Sequence, residues 1–392
     1  MDLLRKTVLV LMACGLFSSC SEQKKEKIIT VKNGLDLKRS HETVELTKDF
    51  LSVEDLATVG IKNTETQKLQ VTQTIDQDGD GSLDLIIFQP EIESKSEVSF
   101  EIITLTEADQ PEAPELCYSR FVPERTDDYT WENDKVAFRV YGPVAQKMVE
   151  DSIPGGTLSS GVDGWLKRVS YPIINKWYKK ATDGTGTYHE DTGEGLDNFH
   201  VGASRGIGGI AVKVDSAYYI SKNYTAWRSI TSGPLRTSFY LEYANWDADG
   251  KTIKESTTIS LDLGQNLSKF VTHIEGTDHI SAGLTLHDKK GKVSGNKSKG
   301  WLSHWEPIAD TEIGTGIVAS SKYFEDYETY DTEVTDLSNA YAHLKVIDHE
   351  VIYYSGFTWK KAKHYETPEA WQKYLDEFSA KINSPLEVSI EN

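Results

Sequence analysis

The chain has few cysteines, no excess of basic residues and no apolar run long enough to cross a bilayer. It carries 42 Lys and Arg against 61 Asp and Glu, which gives a formal net charge of −19. This balance argues against nucleic acid as a partner, because neutralising phosphate groups requires a basic surface. The apolar run at residues 8–17 is shorter than a membrane-spanning helix.

Motifs of several common enzyme classes are also absent. There is no Gly-x-Ser-x-Gly elbow, no phosphate-binding loop and no dinucleotide fingerprint. The three cysteines include no pair spaced to hold zinc, and no His-x-x-x-His pair lies in a helical pattern. The function must therefore be sought outside the classes that these motifs mark.

The first twenty residues have the pattern of a secretion signal. Two basic residues precede the apolar run, and the sequence FSSC at residues 17–20 resembles a bacterial lipobox. The pattern predicts a lipoprotein signal peptide at residues 1–20, a lipidated Cys20 and a polar tether at residues 21–27. With Cys20 acylated, Cys117 has no partner for an intramolecular disulfide. We expect a cell-envelope lipoprotein, in the outer membrane facing the periplasm or the cell surface, whose only membrane contact is its lipid anchor.

The remaining residues predict an all-β protein of two parts. The 392 residues, 38% hydrophobic and 26% charged, are typical of a soluble chain long enough for two domains. Strand-like alternation begins at residue 28, and the acidic, proline-containing stretch at 108–115 is typical of a linker. We predict a small β domain at residues 28–115 and a larger domain at 116–392.

The larger part shows long alternating runs typical of antiparallel strands. Residues 236–243, 257–263 and 270–274 each place apolar side chains on one face and polar ones on the other. Only the C-terminal segment is predicted to be helical, with Thr367 as its cap and Pro368 in its first turn. We expect an antiparallel sandwich with this helix packed on its outside.

A short acidic loop resembles the first half of a calcium-binding loop. Carboxylates stand at positions one, three, five and nine, with glycine at position six; the four acids are Asp76, Asp78, Asp80 and Asp84. Position twelve is Ile87 rather than a bidentate glutamate, and the flanks are strand-like. The alternatives are a structural calcium site and a polar hairpin turn, since Asp-Gly pairs are strong turn formers.

The stretch at residues 188–209, YHEDTGEGLDNFHVGASRGIGG, has neither a strand nor a helix pattern. Its many glycines indicate a loop in which the backbone approaches another group closely. Polar groups that suit an active site converge in it: Tyr188, His189, Glu190, Glu194, His200 and Arg205. We interpret it as an active-site loop; the alternative is a solvated surface loop.

A basic and aromatic patch precedes this loop. Residues 162–180 contain Trp165, Lys167 and Arg168 together with further lysines, tyrosines and a second tryptophan. Aromatic faces stack on sugars, and cations bind acidic or sulfated groups. The patch therefore suits an anionic sugar, or else it is a solvated basic face.

Several blocks together resemble a known family. They are YTWENDKVAFRVYGP (129–143), DGWLKRVSYPIINKWY (163–178), the stretch at 188–209 and GPLRTSFYLEYANW (233–246). They resemble secreted β-sandwich proteins of unknown function from polysaccharide-utilisation loci, a family that includes a dehydratase of uronate-ended ulvan oligosaccharides. The strands at 233–237 and 305–318 also resemble a galactose-mutarotase-like supersandwich. The resemblance implies an antiparallel β-supersandwich and a carbohydrate-active lyase.

The implied reaction removes water from a terminal uronate and leaves a 4,5-unsaturated sugar. It needs a base for the C5 proton, an acid for the departing hydroxyl and a cation for the carboxylate. We predict His189 as the base, Tyr188 as the acid and Arg205 as the cation. If residues 188 and 189 point apart in an extended segment, His200, His273 or Tyr240 takes the second role.

Predicted substrate contacts come from the basic patch at residues 162–180, from the stretch at 188–209 and from the strand at 270–274. They are Trp165, Lys167, Arg168, Glu190, Glu194, His200 and His273. The acids of the loop could instead hold a metal beside His189, although the reaction requires no cofactor. The expected partner is an anionic oligosaccharide; the sequence specifies no oligomeric state.

Two other functions remain open at this point. A glycoside hydrolase would use paired carboxylates such as Glu194 and Glu242. A sugar-binding lipoprotein would bind the glycan without turnover.

Overall fold

The computed structural model describes residues 27–391, and these are mostly antiparallel strands, which confirms the predicted fold class. The strands are β1 (Lys27–Lys32), β2 (Val44–Thr47), β3 (Val59–Asn63), β4 (Thr72–Ile75), β5 (Leu85–Phe88), β6 (Glu97–Thr104), β7 (Tyr118–Val122), β8 (Asp128–Glu132), β9 (Ala137–Val140), β10 (Asp163–Lys167), β11 (Gly195–Leu196), β12 (Ile207–Val214), β13 (Ala217–Tyr219), β14 (Tyr224–Thr231), β15 (Arg236–Tyr243), β16 (Trp246–Ala248), β17 (Lys251–Asp262), β18 (Leu267–Glu275), β19 (His279–Thr285), β20 (Lys292–Asn296), β21 (Trp301–Ile308), β22 (Thr311–Val318), β23 (Phe324–Tyr330), β24 (Asn339–Lys345), β25 (Glu350–Trp359) and β26 (Glu387–Glu391). The α-helices are α1 (Lys48–Leu51), α2 (Pro143–Glu150), α3 (Ile174–Thr182) and α4 (Pro368–Asn383).

The body of the protein is a sandwich of one large sheet and two smaller ones. The large sheet has nine strands in the order β14-β15-β17-β18-β25-β22-β21-β20, with β16 paired to β17. One five-stranded sheet has the order β11-β10-β9-β8-β7, and the other has the order β13-β12-β19-β24-β23. Rings from the facing sheets meet in the core: Tyr129 stacks on Phe239 with centroids 4.2 Å apart, and Phe138 meets Phe357 edge-on at 5.3 Å.

Strand alternation gives the large sheet one buried face and one polar face. In β17 the side chains of Ile253, Ile259 and Leu261 are buried, whereas Thr258 and Ser260 between them are partly exposed. Because successive side chains point to opposite sides of a strand, the first set enters the core and the second set lies on the outer face. The sheet therefore separates the apolar interior from a polar outer surface.

The N-terminal part forms two small sheets, with strand orders β26-β1-β6-β3 and β2-β5-β4. The last strand of the chain pairs with the first, with Ile28 opposite Glu391. A separate apolar cluster lies between these two sheets. The predicted boundary at residue 115 stays a prediction, but the small β part itself is present and includes the C-terminal strand.

The prediction that only the C-terminal segment is helical is wrong, because α2 and α3 are also helical. In α3 the side chains of Ile174, Trp177 and Tyr178 are buried, a spacing of three and four that matches one face of a helix. The buried Glu132 carboxylate accepts the backbone N–H groups of Ile173 and Ile174 at 2.9 Å and so satisfies the first turn. This cap comes from a distant strand and leaves no local sequence signal.

The predicted C-terminal helix is confirmed as α4. Thr367 accepts the N–H of Ala370 as the cap, and Trp371, Leu375 and Phe378 are buried against the large sheet. Among residues 27–391, no helix has the length and apolar character that crossing a membrane requires.

Glu255 gives the fold a pH dependence that can be measured. This carboxylate is buried between the sheets and accepts the indole N–H of Trp246 at 3.0 Å. Burial raises the pKa of Glu255 from 4.5 to about 7, although the hydrogen bond from Trp246 and the charge of Arg205 lower it. The folded state therefore holds its proton more tightly than the unfolded chain.

We expect the stability of the protein to fall relative to a Glu255→Gln variant as the pH rises from 4.5 to about 7. The stabilising proton is fully bound in both states below the lower value and is lost from the folded state through the upper one. Glutamine keeps an oxygen for Trp246 and does not titrate. Urea unfolding across this pH range measures the difference, with exposed Glu242→Gln as the control. An unchanged gap between wild type and Glu255→Gln would contradict the expectation.

Candidate functional site

Close backbone contacts hold the loop that carries the candidate residues against β10, in the five-stranded sheet β11-β10-β9-β8-β7. Gly195 has φ +118°, and a Cβ there would lie 1.9 Å from the carbonyl oxygen of Leu166. Gly206 has φ +60°, and a Cβ there would lie 2.0 Å from the carbonyl oxygen of Val162. Only glycine fits these two positions, which is the close approach that the glycine-rich sequence predicts.

His189 is exposed and held in one tautomer. Its Nδ1 lies 2.8 Å from the carbonyl oxygen of Asp197, and 61% of its side chain is exposed. Because a carbonyl oxygen can only accept, Nδ1 carries the proton and Nε2 keeps its lone pair in the neutral ring. The Asp197 carboxylate lies 3.6 Å from the same Nδ1. This arrangement fixes the orientation of the exposed imidazole.

Tyr188 lies beside His189 although the two are consecutive in sequence. Their ring centroids are 4.6 Å apart, because the chain bends at this point instead of remaining extended. The Tyr188 ring is buried and stacks on Trp165, with centroids 5.0 Å apart. The half-buried Arg125 lies near its hydroxyl, and the Arg139 guanidinium lies 6.0 Å from its ring centroid. The phenol is therefore flanked by two cations.

Arg139 joins three buried carboxylates directly beneath these residues. Its Nε and one terminal nitrogen donate to Asp163 Oδ2 at 2.9 and 2.6 Å, and that nitrogen also donates to Asp197 Oδ2 at 2.9 Å. Asp128 Oδ2 lies 3.6 Å from the other terminal nitrogen. The hydroxyl groups of Tyr141 and Tyr178 donate to Asp163 and Asp128 respectively. We call these six residues the Arg139 cluster.

The Arg139 cluster holds more buried negative charge than its cations neutralise. Burial raises the pKa of Asp128 to about 6, although Arg139 and Arg125 lower it, and burial also raises the pKa of Asp163. Oδ1 of each of these acids and one terminal nitrogen of Arg139 have no hydrogen-bond partner in the described part of the chain. Unsatisfied buried groups and shifted carboxylates concentrate at functional sites.

Sequence reasoning missed most of the Arg139 cluster. The sequence did not single out Arg139 as a site residue, and Asp128, Asp163 and Asp197 are far apart in the chain. They meet because β8, β9 and β10 are neighbours, with Asp163 directly opposite Arg139 in the ladder. The usable signal was the presence of single charges within otherwise apolar strands, such as Arg139 between Phe138 and Val140.

Other predicted contacts surround this centre. Trp165 is fully buried beneath Tyr188, so it supports the site and offers no surface to a sugar. Arg168 donates to Asp191 at 2.9 Å and to the Gly193 carbonyl, which fixes the loop. Glu190 is exposed. The Glu194 carboxylate accepts hydrogen bonds from Tyr171, Lys176 and Trp177.

Two predicted site residues, the substrate contact Lys167 and the catalytic cation Arg205, are buried and fully engaged by the protein. Lys167 is 0% exposed and donates to Glu132 at 2.7 Å and to two backbone carbonyls. Arg205 is 1% exposed and donates to Ser160 Oγ and to the carbonyls of Ile210 and Ala203. Neither side chain is accessible to a sugar, so we assign both a structural role. Sequence alone does not separate them from exposed cations.

The two alternative histidines lie apart from His189. His200 is exposed and contacts Asp336 at 2.9 Å. His273 is exposed on β18 of the nine-stranded sheet, 4.0 Å from Glu275. A histidine that the sequence did not single out, His287, donates to the His200 carbonyl and contacts the buried Glu306. His287 thereby holds the backbone at His200, within the stretch at residues 188–209.

The acidic loop lies between β4 and β5, as its sequence predicts. Oxygens of Asp76, Asp78 and Asp84 lie within 4.8 Å of one another, and Asp80 is not part of that group. The carboxylates already accept backbone N–H groups within the loop, including Gly79 and Gly81 on Asp76. Calcium binding stays a prediction here.

The predicted lipidation residue, Cys20, lies outside the described residues. Cys117 is buried and free.

Comparisons with known proteins identify a family and a shared fold. The profile of the family described as "Domain of unknown function (DUF4861)" matches residues 31–388. The chain is 54% identical over 384 residues to "Uncharacterized protein P7" of Formosa agariphila, which covers 97% of each chain. A protein in the Glycosyl Hydrolase Family 38 from Enterococcus faecalis matches 94% of this chain with 10% identity and a TM-score of 0.50. An alpha-mannosidase from Enterococcus faecalis V583 matches 94% with 11% identity and a TM-score of 0.44. The chain spans about half the length of these two structures, 48% and 46% respectively.

The buried position of Lys167 makes a prediction about stability. Lys167→Ala would leave the fully buried Glu132 carboxylate without its cation, so we expect a loss of about 3–5 kcal/mol of unfolding free energy. Lys179→Ala, which removes a mostly exposed partner of Asp183, is the control and should change stability little. Urea unfolding of both variants measures the difference. Equal stability of the two variants would contradict the structural role assigned to Lys167.

Proposed function

The chain belongs to the DUF4861 family, and we propose that it is a carbohydrate-active lyase, an oligosaccharide dehydratase. Its substrate would be the non-reducing-end glucuronate or iduronate of an ulvan-type oligosaccharide, and its product a 4,5-unsaturated uronyl end. Support comes from the sequence blocks at 129–143, 163–178 and 188–209 and from a fold shared with a protein of a glycosyl hydrolase family. The observation that carries the proposal is the exposed His189, oriented by Asp197, beside the Tyr188 phenol.

In the proposed reaction His189 takes the C5 proton of the uronate. Its Nε2 lone pair is free because Nδ1 donates to the Asp197 carbonyl at 2.8 Å. The Asp197 carboxylate, 3.6 Å away, then stabilises the imidazolium. Arg139 holds that carboxylate in place at 2.9 Å. The cluster beneath the site would thus position the base without touching the substrate.

Tyr188 would protonate the departing 4-hydroxyl, so that the C4–O bond breaks and water leaves. The electron pair from the C5–H bond forms the C4–C5 double bond. The phenolate that remains would be stabilised by the positive charges of Arg125, which lies near the hydroxyl, and of Arg139 near its ring. The proton taken by His189 returns to Tyr188 through the neighbouring ring or solvent, which restores both groups.

The uronate carboxylate needs a cation as charge develops at C5. Arg205 is buried away from solvent, so we assign this role to Arg125, which is half-buried at the Tyr188 hydroxyl. Arg139 is already committed to three acids. The reaction as written requires no metal or cofactor.

The paired-carboxylate hydrolase gains no support from the geometry. Glu194 directly precedes β11 and accepts a hydrogen bond from Lys176 on α3. Glu242 lies on a different sheet, on β15 of the nine-stranded sheet. A binding lipoprotein without turnover is distinguished by experiment. As part of the proposal, the protein is anchored to the cell envelope through Cys20.

The first test uses purified protein and uronate-ended ulvan oligosaccharides. We expect ultraviolet absorbance from the new conjugated double bond and the mass loss of one water in the product. His189→Ala should lower the rate by about 10²–10⁴-fold, the range for loss of a general base. His279→Ala, which removes an exposed histidine paired with Glu325, is the matched control and should keep full activity.

The outcomes separate the hypotheses. Turnover that survives in His189→Ala would keep the dehydratase and overturn the assigned base. Binding without any turnover in wild type would leave the sugar-binding lipoprotein. Release of a sugar without the absorbance change would indicate a hydrolase.

A second prediction concerns Tyr188. Tyr188→Phe keeps the ring stacked on Trp165 and removes the hydroxyl, so we expect a large fall in kcat with little change in thermal stability. Kinetics and thermal unfolding of the same preparation measure both quantities. Unchanged kcat would show that another group protonates the leaving hydroxyl.

A further inference from the structure

The outer face of the nine-stranded sheet carries a polar groove beneath the N-terminal part. One section has a volume of about 420 Å³ and reaches Tyr354, Phe378 and Lys381; the other, about 340 Å³, reaches Gln77 and Arg228. Both sections are lined by the same four central residues: Glu45, Arg236, Ser260 and Lys269. The two volumes therefore form one elongated groove, each part being in the size range of a small-ligand site.

This groove lies on the opposite side of the sandwich from His189. In β18 the side chain of Phe270 is buried in the core, so its neighbour Lys269 points to the outer face. The Arg139 cluster is built on the five-stranded sheet β11-β10-β9-β8-β7, which packs against the inner face of the nine-stranded sheet. One sugar unit cannot occupy both places, so the groove is a separate surface.

The carboxylates in the centre of the groove already have a cation. Arg236 donates to Glu45 at 2.6 Å and to Asp262 at 2.5 and 2.8 Å. Within residues 27–391, the side chain of Lys269 makes no hydrogen bond and no ion pair; it is partly buried in the groove, where its charge acts on Asp262 at longer range. At one end Arg228 donates only to the Gln77 carbonyl. In this part of the chain, neither the Lys269 ammonium nor the Arg228 guanidinium forms an ion pair with a carboxylate, although Asp262 and the acidic loop at residues 76–84 lie nearby.

Hydroxyl groups and one aromatic ring surround these cations. Ser238 and Ser260 lie side by side on β15 and β17, with their oxygens 2.9 Å apart, and Thr258 follows on the same face. Tyr354 stands directly opposite Lys269 on the adjacent strand β25. A cation, hydroxyl groups and an aromatic ring together match an acidic sugar: charge binds the anion, hydroxyls bind hydroxyls and the ring packs on the apolar sugar face.

We propose that this groove is a second binding site for an anionic oligosaccharide, with Lys269 binding a sulfate or carboxylate group. In a chain of net charge −19, a polyanion is repelled by most of the surface, so a groove lined by four cations and three carboxylates is a more favourable place for it to lie. Held there, one polymer would raise the local concentration of its ends near the protein. The groove shares the ligand class of the proposed function, but its binding does not depend on turnover at His189.

The test measures binding of a sulfated oligosaccharide that has no terminal uronate, by calorimetry with the purified full chain. Such a probe cannot be dehydrated, so failure of the dehydratase proposal does not affect the result. We expect saturable binding that weakens as salt is added. Lys269→Met keeps the methylene chain and removes the charge, and it should weaken binding about tenfold or more. Lys269→Arg should restore most of the affinity.

Controls exclude general electrostatics and misfolding. Lys254→Met removes an exposed lysine that pairs with Glu275 on the same sheet, and it should bind as wild type does. His189→Ala should also bind the probe normally. Thermal unfolding verifies that Lys269→Met is folded, and Arg228→Ala gives an independent second variant, with an expected weakening, should it not be.

Three results would overturn the proposal. They are no saturable binding in wild type, equal binding by wild type, Lys269→Met and Arg228→Ala, or equal affinity for inorganic sulfate and the oligosaccharide. The last result would identify a simple anion site rather than a saccharide groove.

Discussion

The buried ion pairs of Arg139 hold together the part of the molecule that carries the candidate chemistry. The guanidinium connects the strand of Asp128, the strand of Asp163 and the loop of Asp197. Burying this many charges is costly, and the cost is recovered only if each group keeps its partner. Because Asp163 stands directly opposite Arg139 in the ladder, the sheet register itself fixes the pair. The loop with His189 is then attached to a rigid strand through Asp197.

This attachment explains how an exposed histidine can be ordered. A surface imidazole normally samples several rotamers, but the Asp197 carbonyl fixes Nδ1 and the neighbouring Tyr188 ring limits its rotation. Tyr188 is in turn confined by Trp165, which is stacked within the aromatic cluster under α3. Direct contacts therefore connect the exposed His189 ring to the buried sheet and restrict its motion. A site built in this way keeps its geometry before a substrate arrives.

The sequence predicted what depends on local pattern and missed what depends on distant partners. Alternation gave the antiparallel sandwich, and the cap at Thr367 gave the C-terminal helix, since both are local signals. Helix α3 was missed because its cap is the remote Glu132. Lys167 and Arg205 were predicted at the surface because a charged side chain carries no mark of its burial. The shared site of Tyr188 and His189 stays a prediction, and the bend that brings their rings together was not evident from their spacing.

The strongly acidic composition makes the position of each cation informative. Many lysines and arginines within residues 27–391 are paired with acids, as Lys167 is with Glu132 and Arg236 is with Glu45 and Asp262. A cation that faces a cavity without such a partner retains its charge for a ligand, and Lys269 in the outer groove meets this description. Arg125 at the Tyr188 hydroxyl sits at the other face of the sandwich. An anionic polymer long enough to pass around the protein would thus find cations on two opposite faces and repulsion over much of the surface between them. The same charge distribution that argues against nucleic acid as a partner thus supports the proposal of an anionic ligand at these two places.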